Sequence, residues 1–101
     1  MRTVEEVRRR VQKLAERELK PARIQRVRVE ESIGFRGDPN LRISIVLGHR
    51  EPPEITGRQA MELLRKTREF LFRGDDERFP HLQYLTTEDE KAWAAEDAES
   101  R

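Results

Sequence analysis

Cysteine is absent from the 101 residues, and glycine and proline occur only five times each. Without cysteine there can be no disulfide scaffold, thiol nucleophile or thiolate zinc site, and the composition suits a reducing compartment. Aromatic residues are also scarce: one Trp, one Tyr and four Phe. The longest strongly apolar run is Ile45-Val46-Leu47, so neither a membrane span nor the apolar core of a signal peptide is expected. A chain of this length predicts one domain, since a second core would be too small to hold. The expectation is a small cytoplasmic protein without membrane contact. Charge is what the chain has in abundance, at 41% of residues, with 21 Lys and Arg against 20 Asp and Glu.

That near-neutral balance is unevenly spread. Residues 1–28 carry ten basic and four acidic side chains, residues 29–74 eight and seven, and residues 75–101 three and nine. A basic beginning and an acidic end fit either a tail folding back on its own domain or two faces for different partners.

Thr3-Val4-Glu5-Glu6 has the form of a helix-capping box. Val4, Val7, Val11 and Leu14 follow at helical spacing, with Arg9, Arg10, Lys13 and Arg17 on the other side. Glu18 falls inside the apolar stripe and Leu19 outside it, which predicts that the helix loosens near Arg17, ahead of Pro21. From Ile24 the period becomes two. Val27, Val29 and Ile33 point one way, and Arg26, Arg28, Glu30 and Ser32 the other. A turn-rich loop, residues 34–40, leads to Leu41, Ile43, Ile45 and Leu47 alternating with Arg42, Ser44 and Val46, which predicts an antiparallel hairpin.

Thr56-Gly57-Arg58-Gln59 offers a second capping box, before a helix that buries Ala60, Leu63, Leu64, Thr67, Phe70 and Leu71 and stops at Gly74. Asp75-Asp76-Glu77-Arg78 reads as a solvated turn, His81–Thr86 as a third strand, and Thr87-Glu88-Asp89-Glu90 as a third capping box opening a short helix. The predicted fold is a two-layer α+β sandwich in α-β-β-α-β order. Residues 1–87 would form the domain and 88–101 an acidic C-terminal helix or tail. Strand order is left open.

Little in this pattern carries chemistry. Gly34 and Gly37 lie in a hairpin with no Gly-Lys-Ser/Thr after them. Ser32, Ser44 and Ser100 lack the setting of a nucleophile. His81 near Asp75, Asp76 and Glu77, and His49 near Glu51 and Glu54, match no metal-ligand spacing. A non-enzymatic protein without metal or cofactor is therefore expected.

Binding is better represented. At 100° per residue, Met61 and Phe72 fall away from the buried stripe of the second helix, beside Arg58, Arg65 and Arg68. Aromatics, Met and Arg are the types enriched at interfaces. The candidate partner-binding set is Met61, Arg65, Arg68 and Phe72, with Trp93 in its acidic segment as a dockable element. That face would take its own tail, an outside protein or a second copy. The alternative is a basic patch for RNA, made from Arg9, Lys13 and Arg17 on the first helix with Arg26 and Arg28 on the hairpin.

Val27-Arg28-Val29-Glu30, Leu41-Arg42-Ile43-Ser44-Ile45, Leu71-Phe72-Arg73 and Pro80-His81-Leu82-Gln83-Tyr84 resemble, in order and layout, the KH-like ribosome-binding factor A family over residues 22 to about 90. That resemblance implies an RNA- or ribosome-associated protein. KH-like folds place a Gly-containing loop between two helices for the nucleic-acid backbone, whereas Leu63 to Phe72 contains neither Gly nor Pro. Arg28-Val29-Glu30-Glu31-Ser32, Gly37-Asp38-Pro39 and Asp76-Glu77-Arg78-Phe79-Pro80 are similar to a group of small uncharacterised bacterial proteins. By analogy with small proteins of this kind, an antitoxin-like role is one form the interaction module would take.

Overall fold

The computed structural model describes residues 1–49 and 51–92. Its elements are α1 (Val4–Glu18), β1 (Ile24–Ile33), β2 (Pro39–Leu47), α2 (Gly57–Arg73) and β3 (Phe79–Thr86), and residues 87–92 are helical after that. The α+β order and the β1–β2 hairpin are as expected. The sheet order is β1-β2-β3, with β2 antiparallel to β1 and parallel to β3. A parallel neighbour needs a crossover, and α2 provides it.

Each helix begins where its sequence can satisfy free backbone donors. The Thr3 hydroxyl accepts from Glu6 N (3.1 Å), and Thr56 and Gln59 form a reciprocal box (3.0 and 3.1 Å). The third box lies one residue earlier than expected: Thr86 Oγ1 accepts from Asp89 N and Asp89 accepts from Thr86 N. Leu19 corrects the reading of α1. It is the C-cap, off helical geometry at φ −98° and ψ 11°, and this turn sends its side chain into the core. Glu18 lies in the stripe as the spacing implied, half-buried, and takes an ion pair from Lys66.

Both helices cover one sheet face. Val7, Val11, Leu14 and Ala15 of α1, and Leu63 and Leu71 of α2, enclose the core with Val27, Leu41, Ile43, Ile45 and Leu47. Ile33 departs from the predicted pattern, being 80% exposed because β1 runs on past the helix layer to the hairpin tip. The turn is tighter than the expected 34–40 loop, with Gly34 N donating to Asp38 O (2.7 Å) and Gly37 at φ +84°, a value glycine takes without strain.

Ser44 and Val46 also depart from expectation, since both are buried on the outward face of β2. A central strand has neighbours on both edges. The chain after β3 turns back over this outer face, and Glu90 meets Arg26 (2.5 Å) and Arg28 (3.7 Å) there. Gln83 Nε2 donates to Ser44 Oγ on the same side (2.6 Å). No helix among the described residues is long and apolar enough to cross a membrane.

Candidate interaction surface

Of the predicted stripe, the second helix buries Leu63, Thr67 and Leu71 and leaves Ala60, Leu64 and Phe70 half-buried beside the grooves that flank it. The opposite side is in water, where Met61 and Phe72 are 74% and 79% exposed. Thr67 keeps its hydroxyl satisfied in the core by donating to Leu63 O (2.8 Å). Between this helix and the start of β3 runs a groove of about 650 Å³. Met61, Leu64, Phe72, Phe79 and Pro80 supply its apolar lining, and Arg65 and Arg68 stand on its rim. The structure thus brings Met61, Arg65, Arg68 and Phe72 together. Trp93 lies outside the described residues.

The rim charges differ in what holds them. Arg65 donates to Glu62 and to Glu69, and its guanidinium holds the Glu62 carboxyl below the usual carboxylate range. Arg68 has no carboxylate partner among the described residues and lies over the Phe79 ring at 5.4 Å. Along β3 the groove continues into two smaller hollows that share Tyr84 and Ala60. Burial raises the Tyr84 phenol above its ordinary pKa, and its hydroxyl has no hydrogen-bond partner among the described residues.

The turn before β3 is no solvated loop. Asp76 and Arg78 are each only 4% exposed. Arg78 donates through Nε and Nη2 to the two Asp76 carboxylate oxygens (2.9 and 2.6 Å), and through Nη1 to Glu31 (2.9 Å). Its Nη2 also reaches Arg2 O, while Arg2 N donates to Asp76 (3.1 Å). The expected solvated turn is therefore a buried clasp joining the chain's beginning, β1 and β3. No local pattern announces its burial, because the groups that close over the Asp76–Arg78 pair, Glu31 and the Arg2 backbone, lie 47 and 76 residues from Arg78.

The cations proposed for RNA are divided. Arg26 and Arg28 face the side of the sheet away from the helices, where Glu90 engages both. Arg9 and Lys13 are exposed on α1, and Arg9 pairs with Glu5 (3.6 Å). Arg17 belongs elsewhere, in a groove of about 580 Å³ between α1 and α2 that also contains Arg2, Arg10, Lys66 and Arg73. Within it Phe70 lies under two guanidinium groups, Arg2 at 4.1 Å and Arg10 at 4.9 Å. This places Arg10 beside α2 rather than on the far side of α1. Arg2, Lys66 and Arg73 were not legible as part of a basic site, since only the packing of the two helices assembles them.

Among the described residues, neither histidine gathers carboxylates. His49 Nε2 accepts from Arg23 N (2.8 Å), closing the base of the hairpin, and His81 lies against Phe79 with ring centroids 4.9 Å apart. Among the described residues no three His, Cys, Asp or Glu side chains converge as metal ligands would. No protein-family model, curated protein or solved structure matches the chain.

Proposed function

We propose that this protein is a non-enzymatic cytoplasmic interaction module, which takes a protein partner on the α2–β3 groove. The observation that carries the reading is the exposure of Met61 and Phe72 beside one apolar groove in a chain so rich in charge. Large exposed apolar side chains cost little singly, but grouped in a concave, Arg-rimmed surface they have the composition of an interface core. A neutralising contact of the antitoxin kind is one use of such a surface.

A second reading, association with RNA or the ribosome, draws on the KH-like layout and on the basic groove between the helices. Among the described residues, five of the side chains lining it are cationic besides Arg65, and Glu69 is its one acid. The helix α2 runs unbroken from Gly57 to Arg73, so this protein would need to hold a nucleic-acid backbone by side chains and not by a Gly loop.

The experiment is a pull-down with the tagged full chain from the source cells, half of it treated with nuclease. A protein partner that survives nuclease and is lost with Phe72→Asp, at unchanged melting temperature, supports the interaction module. Ribosomal proteins or RNA that nuclease removes support the second reading and overturn the first.

A further inference from the structure

The two edges of the sheet are defended very differently. β1 carries Arg26, Arg28, Glu30 and Glu31 within ten residues. β3, the other edge, has no Asp, Glu, Lys or Arg in its eight residues, within a chain that is 41% charged. An edge strand presents unpaired N–H and C=O groups, and proteins that stay single guard such edges with charge, proline or a bulge. Pro80 guards only the entry of β3, and His81–Thr86 follow with neither proline nor charge. Among the described residues, no backbone bond reaches the outer side of this strand.

We infer that the occupant of this edge is a second copy of the chain, β3 against β3 in antiparallel, joining two three-stranded sheets into one of six. This rests on the interaction-module reading and names its partner. A two-fold axis normal to the sheet keeps the helices of both copies on one face and sets the two α2 helices side by side, running in opposite directions. Arg65 would meet its own copy at the axis, its charge already answered by Glu62 and Glu69 of its own chain, and the charges on either side of it are complementary. With the axis near Arg65, Glu62 of each copy faces Arg68 of the other, and Arg58 comes to the ring of Phe72. Arg68 and Arg58 have no carboxylate partner within their own chain among the described residues, so both are available for these contacts. Met61 and Leu64 would close over the paired strands, removing the groove's apolar lining from water. An extended peptide from another protein could pair with the edge, but nothing in a bare peptide would answer this alternation of charge on α2.

The test is sedimentation equilibrium on the full chain from micromolar to near-millimolar concentration, with amide hydrogen exchange at both ends of that range. A mass of twice 12.0 kDa is expected, with protection growing in β3 and not in β1 as concentration rises. The double variant His81→Lys with Gln83→Lys supplies the missing guard and should return the mass to that of one chain, its circular dichroism unchanged. Arg68→Glu should weaken the dimer at least tenfold, and adding Glu62→Arg should restore it. A single-chain mass throughout, or a dimer whose β3 amides exchange as in the lone chain, overturns the inference. If the mass stays single while Phe72→Asp still abolishes a protein contact, only self-pairing fails. If no protein contact exists either, the interaction reading fails with it.

Discussion

Arg78 and Asp76 stand two residues apart and are buried face to face, the guanidinium donating through two nitrogens to the two carboxylate oxygens. A charge removed from water is tolerable only when its hydrogen-bonding groups are answered, and here they are, down to the carbonyl of Arg2. Removing Asp76 leaves Arg78 only Glu31 and the Arg2 carbonyl as acceptors. Asp76→Ala should therefore cost at most about 3–5 kcal/mol, the range for breaking a buried pair outright. Urea unfolding of the variant against wild type measures it, and a loss under about 1 kcal/mol would show that water reaches the clasp.

The same pair makes stability depend on pH. The hydrogen bond from Arg78 lowers the Asp76 pKa from its ordinary 3.8, burial opposes that, and the backbone N–H groups of Arg78 and Arg2 lower it further. A carboxylate with a depressed folded-state pKa contributes stability that is full above the unfolded value and is lost as pH falls through the folded one. Wild type should therefore lose stability below pH 3.8 more steeply than Asp76→Asn. Parallel unfolding curves for the two over that acid range would contradict the assignment.

Adjacent residues on α2 should behave oppositely. Leu71 is sealed in the core and Phe72 is mostly in water. Leu71→Ala should cost about 2–5 kcal/mol, through lost transfer energy and the cavity left behind. Phe72→Asp should shift stability by no more than about 0.5 kcal/mol. Chemical denaturation of both variants, at concentrations too low for copies of the chain to pair, decides whether Phe72 is surface or core.

This contrast was legible in the sequence because a helical wheel needs only local spacing. The same holds for the hairpin, whose alternation fixed which residues of β1 and β2 face the helices, and for the caps at Thr3 and Thr56. Ile33 misled because alternation gives the direction of a side chain but not whether anything lies above it. Ser44 and Val46 misled in the opposite sense, since groups on that face, among them Gln83 and the returning chain near Glu90, are distant in sequence. The Met61–Phe72 face was readable, but its opposing wall at Phe79 and Pro80 depends on β3 lying parallel to β2. That pairing leaves no mark in local sequence.

Gln59 serves two helices at once. Its Oε1 accepts from Thr56 N at the start of α2, while its Nε2 donates to Glu18 O (3.2 Å) and Lys20 O (2.8 Å) at the end of α1. Gln59→Glu keeps the first role and reverses the second, setting a carboxylate against two carbonyls. At a helix N-terminus an added negative charge alone stabilises by about 0.3–1 kcal/mol. We expect the opposite sign, a loss of about 1–2 kcal/mol, because two acceptors lose their donor. A stabilised Gln59→Glu in thermal melts would show that the α1 contacts carry nothing.

The RNA reading has its own signature, and the basic groove decides where to look for it. Phosphate binding releases condensed counterions, so affinity for a single strand falls with salt at a slope of about −0.7 for each phosphate neutralised. Arg10 and Arg17 line the groove without carboxylate partners among the described residues, so their reversal to Glu should remove about one such contact each and flatten the slope. Arg26 and Arg28 lie across the sheet in the grip of Glu90, and reversing them should leave the slope unchanged while loosening the chain near Glu90. Fluorescence anisotropy with a short single-stranded RNA, titrated with salt for each variant, separates the two positions. A slope altered only by Arg26 and Arg28 would move the contact to the outer sheet face. No affinity even at low salt would end the RNA reading and leave the α2–β3 groove as the working surface.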